Sequence, residues 1–351
     1  MAQYRQGQLA EQNADAKLAQ TESELLLKVA QTYFKILTNR EKLTAIRKEK
    51  AAYRQQLYQA RITFEKDAAT VIDIHEAQAG YDAALAKEIS VQADLITAGN
   101  AITDLTGLNA EDIAPIGKKD LGVLLGKTTE QQWQQIAEQK NNPEWLQQQL
   151  ALAHACEALK AARWAQWPKL NLSAGYQTQH NTQKYHGDNI RYRSKGGTLT
   201  IQLSMPLYSG GQDSSHILEA AAHELQQQEL LIAVKRKIGL AVKQAYHGTR
   251  SNHYRVLAQQ RLLDSTQSKL NATNQLGKKA GIRSNLEEIQ AQHAKSEAEQ
   301  KLSEARYAYF TSYLLLLQNA GVINQTDHQE KINRLLFSNI IQNTGNDATD
   351  K

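Results

Sequence analysis

The sequence predicts a mainly α protein, built from long antiparallel helical hairpins with one small β part. Three observations predict it. Only 6% of the 351 residues are aromatic and only four are proline, which favours long uninterrupted helices over a thick globular core. From Gln8 to Phe64 neither proline nor glycine breaks a stretch dominated by helix formers. A single pair of segments alternates apolar and polar residues with the period of a β-strand.

The first helix, Gln8 to Phe64, would be roughly 85 Å long at the α-helical rise. Val29, Tyr33, Ile36 and Leu43 follow a 3,4 spacing, but Arg40 and Arg47 occupy two positions of the same seam, so the apolar stripe is partial. A second helix is expected from Ile74 to Leu105, with Gly107 as its terminator. Residues 108–142 change character, with Pro115, several glycines and no sustained period, and read as a connector with a short helix near Gln131 to Gln139. Helix resumes at Pro143, a residue suited to the first turn, and runs to Trp167 before Pro168.

The β signal follows. Leu170, Leu172, Ala174 and Tyr176 alternate with Asn171, Ser173, Gly175 and Gln177. After a polar segment from Gln179 to Gly197, the pattern returns as Leu199, Ile201, Leu203 and Met205 against Thr198, Thr200, Gln202 and Ser204. Strands 169–178 and 198–207 joined by a long polar loop are therefore expected. Such alternation suits the edge of a soluble sandwich as well as a transmembrane barrel strand. Helix returns from Ser214 to Leu276 and from Ser284 to Asn319, ending at Gly321. The polar segment 324–351 is expected to be a disordered tail.

Charge and chemistry exclude several function classes. The net charge of +5 arises from 41 basic and 36 acidic residues interleaved along the helices, which is the pattern of solvated helix surface. No basic stretch carries the spaced aromatics that stack bases, so nucleic acid is not an expected partner. Cys156, the single cysteine, rules out a disulfide framework and a thiolate metal site, and reads as a small apolar filler. The longest apolar runs, such as Tyr313 to Leu317, cannot span a bilayer as a helix, so any membrane crossing must use strands. His216, Glu219 and His223 share a helix face, but polar triples are common on long solvated helices. No metal, cofactor or catalytic residue is expected, and the chain does not read as an enzyme.

The two helical hairpins resemble each other at a fixed distance, which signals a duplicated unit. Val29, Gln31 and Tyr33 correspond to Val242, Gln244 and Tyr246, 242 − 29 = 213 residues on. Asp73, Ala77, Gln78 and Gly107 correspond to Glu287, Ala291, Gln292 and Gly321, 287 − 73 = 214 residues on. The expected division is a first-repeat hairpin over 1–107, an equatorial connector over 108–142, and a second repeat over 143–323 that includes the strands. The first copy lacks a strand pair, and the start MAQYRQGQLAEQ shows no secretory signal. Truncation at the N-terminus is therefore expected, the complete protein carrying about 85 further residues and a signal peptide.

These residues resemble the TolC family of outer-membrane efflux proteins, particularly the members that serve type I secretion. The resemblance covers residues 8–323. It is carried by PKLNLSAGY at 168–176, LTIQLSMPLYSGG at 199–211, VAQTYFKIL at 29–37, and the helix turns FEKDAATVIDIHEAQ and GIRSNLEEIQAQ.

The resemblance implies a homotrimeric channel in the outer membrane. Long helices would form an α-barrel in the periplasm, and the β-hairpin would contribute to a trimeric β-barrel with Leu170, Leu172, Tyr176, Leu199, Ile201 and Leu203 facing outer-membrane lipid. Asp73 and Glu287 match acidic residues at the channel entrance. Asp67, Gly281 and Arg283 would lie at the periplasmic tip that meets a membrane-fusion adaptor working with an inner-membrane transporter. Asp67 stands where the family usually has glycine, Lys278 where an aromatic is common, and Gln290 where a second acid often lines the entrance. The rival expectation is a soluble coiled-coil scaffold with a β-insert, or a channel remnant without function.

Overall fold

The computed structural model describes residues 2–66, 70–113, 124–126, 128–138, 142–185, 188–280 and 285–325. In chain order the elements are α1 (Ala2–Glu65), α2 (Val71–Thr106), a 3-10 turn (Ala110–Asp112), α3 (Glu130–Ile136), α4 (Pro143–Trp164), β1 (Lys169–Tyr185), β2 (Asp188–Ser204), α5 (Gln212–Ala280) and α6 (Asn285–Asn319). Among the described residues the protein is mainly α, with one antiparallel β-hairpin. No described helix is long and apolar enough to cross a membrane. The tail expected over 324–351 lies outside the described residues, except for its first two.

Helix ends follow local chemistry. Thr70 and Asp73 form a capping box at the start of α2, each side chain accepting a hydrogen bond from the other's backbone N–H. Thr129 and Gln132 do the same for α3. Gly107 closes α2 and Gly321 follows α6, both left-handed with φ of 72° and 73°. After α6, the Val322 N–H reaches back to the Leu317 carbonyl and Gly321 N–H to that of Gln318. Gly107 and Gly321, and the buried Ala77 and Ala291, stand at positions that the sequence repeat pairs.

The chain divides into two compact units. The first comprises residues 1–16 and 145–234. Within it, Gln148 Nε2 donates to Gln227 Oε1 (2.9 Å), Gln147 Nε2 to the Ala16 carbonyl (3.3 Å), and Cys156 Sγ to Glu224 Oε1 (3.2 Å). Cys156 is therefore a hydrogen-bonded, half-buried thiol as well as a filler. Burial, and then the neighbouring Glu224 carboxylate, push its pKa up, so it stays protonated at neutral pH.

The second unit comprises residues 17–144 and 235–351. Phe34 of α1 stacks on Tyr307 and Phe310 of α6, with ring centroids 5.8 Å and 5.5 Å apart. Burying each such side chain contributes about 1.5–3 kcal/mol. Ile36, Ala98 and Ile102 form a second cluster, and Tyr53, Ala77, Ala84 and Ile289 a third.

The two arginines that interrupt the α1 seam have specific work. Arg40 donates to the carbonyls of Ile113 (2.6 Å) and Ala110 (2.5 Å), fixing the start of the connector. Arg47 and Lys50 both donate to the buried carboxylate of Glu88 on α2. Their hydrogen bonds, Lys50 first, hold the Glu88 pKa below the usual carboxylate range, so the cluster is charged at neutral pH. The connector is tied to α6 as well, where Tyr309 Oη accepts the Leu124 N–H at 2.8 Å.

Candidate membrane hairpin and channel entrance

The β-hairpin extends further than the apolar alternation predicts. The expected loop 179–197 is largely paired strand: β1 runs on to Tyr185 and β2 begins at Asp188. Threonine and tyrosine suit a pleated ladder whatever the polarity of its faces, so loss of alternation does not end pairing. At its other end β2 stops at Ser204, before Pro206, which cannot donate to a ladder.

The register assigns every described side chain to a face. Leu170 pairs with Leu203, Leu172 with Ile201, Ala174 with Leu199 and Tyr176 with Gly197, so all of these lie on one side. Asn171 pairs with Gln202, Ser173 with Thr200 and Gly175 with Thr198 on the other. No described element of this chain covers the apolar side: Leu170, Leu172, Tyr176, Leu199, Ile201 and Leu203 are each 69–73% exposed. The band spans roughly 20 Å along the strands. Aromatic side chains flank it, Tyr176 distally, and exposed Trp164, Trp167 and Tyr208 at the helical end. Two polar-faced strands with a bare apolar face rimmed by aromatics match the outer wall of a transmembrane barrel.

In the second unit, Asp73 lies in the first turn of α2, where Oδ2 accepts from both the backbone N and the Oγ1 of Thr70, each at 2.8 Å. These hydrogen bonds, the backbone one first, hold its pKa below the usual carboxylate range. Its repeat equivalent Glu287 is exposed in the first turn of α6. Both carboxylates thus stand at helix N-termini, where the backbone dipole favours negative charge. Asp67, Gly281 and Arg283, expected at the tip, lie outside the described residues. His216 Nδ1 is 3.5 Å from Glu219 on α5, whereas His223 neighbours Gln227; among the described residues no group of three potential metal ligands forms.

The sequence reading missed the capping role of Asp73, although the Thr-x-x-Asp spacing at 70–73 is a recognised helix-start signal. It also missed the Glu88 cluster, whose partners are brought together only by antiparallel packing of α1 and α2.

The family model described as outer membrane efflux protein matches residues 1–108 and 137–322. The chain belongs to that family. It is 28% identical over 315 residues to the outer membrane protein TolC of Vibrio cholerae serotype O1, covering 90% of this chain and 71% of that protein. It is 27% identical over 336 residues to the alkaline protease secretion protein AprF of Pseudomonas aeruginosa, covering 93% and 67%. Among solved structures, the CmeC outer membrane channel of Campylobacter jejuni superimposes with a TM-score of 0.74 at 14% identity, over 95% of this chain and 70% of that one. The last likeness is one of fold.

As a member of the outer membrane efflux family, the chain is an outer-membrane protein with periplasmic helices.

Proposed function

We propose that this chain is a subunit of a homotrimeric outer-membrane channel, a passive duct for efflux or type I secretion rather than an enzyme. The observation that carries the reading is the hairpin, which from Leu170 to Tyr176 has one face apolar and exposed and the other polar. Lipid covers the first face, and water within the barrel wets the second. The helices support the same reading. Leu218, Leu225, Leu240 and Tyr254 of α5 and Leu18 and Leu25 of α1 are exposed apolar side chains on helices that the single chain leaves partly bare, and neighbouring subunits would cover them.

In this assembly three copies of Asp73 and three of Glu287 form acidic rings at the periplasmic entrance, favouring cations. Asp67, Gly281 and Arg283 form the tip, which docks a membrane-fusion adaptor linked to an inner-membrane transporter. Similarity to AprF, named for alkaline protease secretion, supports polypeptide as one class of cargo.

The test is conductance. Protein purified from outer membranes and added to a planar lipid bilayer should produce discrete, cation-selective steps, and chemical crosslinking should trap a trimer. A protein that stays soluble without detergent and leaves the bilayer silent would establish the scaffold reading instead.

A further inference from the structure

Beyond Tyr176 the two faces of the hairpin differ in charge. On the face that carries Leu170 to Tyr176, the next pair is Thr178 with Lys195 and the next His180 with Arg193. On the opposite face the corresponding pairs are Gln177 with Gly196, Gln179 with Ser194 and Asn181 with Tyr192, all uncharged. Lys195, Arg193 and His180 are exposed. An extension merely solvated outside the cell has no reason to segregate its charges by face. Here the cations among the described side chains stand above the apolar band, about 7 Å and about 14 Å beyond Tyr176 along the strands.

We propose that Lys195 and Arg193, with His180 beside them, bind phosphate groups of the lipid headgroups in the outer leaflet. This rests on the outer-membrane barrel proposed above. Tyr176 marks the level at which acyl chains give way to headgroups, and the cations begin one side-chain pair further out. Arginine presents a planar fork that can bind phosphate bidentately, whereas lysine supplies a point charge. No acidic side chain among the described residues shares this stretch of the face, so the local charge complements an anionic glycolipid.

The experiment compares wild-type protein with the double variant Arg193→Gln, Lys195→Gln. Each is reconstituted from detergent into phosphatidylcholine vesicles and into phosphatidylcholine vesicles containing lipid A, a phosphorylated glycolipid. Insertion is read by flotation after an alkaline wash, and bound lipid by native mass spectrometry of the re-extracted protein. Both proteins should insert in both vesicles. Wild type should retain lipid A, and the double variant should need about tenfold more lipid A for equal retention. The charge-preserving variant Arg193→Lys, Lys195→Arg should retain it as wild type does, which separates lost charge from lost folding. Equal retention by wild type and double variant, with insertion intact, overturns the headgroup site and leaves the barrel standing. Failure of wild type to insert into either vesicle overturns both.

Discussion

Nδ1 of His293 lies 2.8 Å from Oε1 of Glu49, 244 residues away, and joins α6 to α1 where the Glu49 carboxylate is almost wholly shielded from water. The second carboxylate oxygen accepts from Ser296 Oγ at 2.6 Å, so two α6 side chains on one helix face hold a single buried acid. Hydrogen bonds to a charged group contribute about 1.5–3 kcal/mol, and Glu49→Ala removes both contacts and leaves a void. The variant should lose about 3 kcal/mol in denaturant unfolding. Glu49→Gln, which keeps the shape, should lose less. A melt of Glu49→Ala that matches wild type would show that this junction does not hold the helices together.

Gly80 of α2 lies close against the Tyr53 ring. A Cβ there would stand 2.6 Å from Cε1 of the buried ring, which is packed among Ala77, Ala84 and Ile289. Alanine is preferred to glycine within a helix by about 1 kcal/mol, but overpacking a buried contact costs about 1–3 kcal/mol. Gly80→Ala should therefore destabilise the protein by about 1 kcal/mol. Gly7→Ala, where nothing lies within 4 Å, should be neutral or stabilising. Chemical denaturation of the two variants in parallel checks the sign of each.

The contrast between these glycines shows what the sequence makes legible. Long helices, their glycine stops and the face alternation of the strands are local patterns, and the structure carries all of them. Glu49 and His293 sit on unrelated stretches of sequence, and nothing near either announces the other. Arg40 and Arg47 looked like faults in an apolar seam because their acceptors, two connector carbonyls and Glu88, are supplied by tertiary packing. The polar half of the hairpin was hidden for a related reason. Side-chain polarity reports what a face touches, whereas strand pairing depends on the backbone ladder.

Tyr307 provides a further internal test on α6. Its Oη donates to Glu41 Oε1 at 2.8 Å, and burial, followed by the neighbouring carboxylate, raises its pKa well above the ordinary tyrosine value. A raised folded pKa means that its protonated-form stability is fully present below the ordinary tyrosine value near pH 10 and is lost as pH rises through the folded value. Spectrophotometric titration to alkaline pH should show this tyrosine ionising only with unfolding. Tyr307→Phe should keep the Phe34 stack but lower stability by about 1 kcal/mol through the lost hydrogen bond.

Asp73 combines a helix cap with a place in the proposed entrance ring, and the two roles separate by mutation. Thr70→Ala removes the hydroxyl of the capping box and should cost about 1 kcal/mol while leaving the charge of Asp73 in place. Asp73→Asn with Glu287→Gln removes the charge of both rings and should reduce cation selectivity in bilayer recordings. Because the Thr70 hydrogen bonds depress the folded pKa of Asp73, its contribution to stability is present above the ordinary aspartate value and is lost as pH falls through the lower folded value. The Asp73 share of selectivity should accordingly persist to lower pH in wild type than in Thr70→Ala, which loses the hydroxyl hydrogen bond but keeps the larger backbone one. Selectivity unchanged in the double variant would place the entrance elsewhere.

The hairpin supplies the most direct test of the membrane assignment, because its register opposes apolar and polar neighbours one residue apart. Leu172 pairs with Ile201 on the exposed apolar face, and Ser173 pairs with Thr200 on the polar one. A cation on a lipid-facing side chain near the bilayer midplane costs about 2–4 kcal/mol, and the proposed trimer would carry three copies of it. Ile201→Arg should therefore be depleted from alkali-washed outer membranes. Thr200→Arg, one residue away but facing water, should insert normally and alter conductance instead. Equal insertion of the two variants would mean that the apolar face meets protein and not lipid, and the hairpin would have to pair within a soluble assembly.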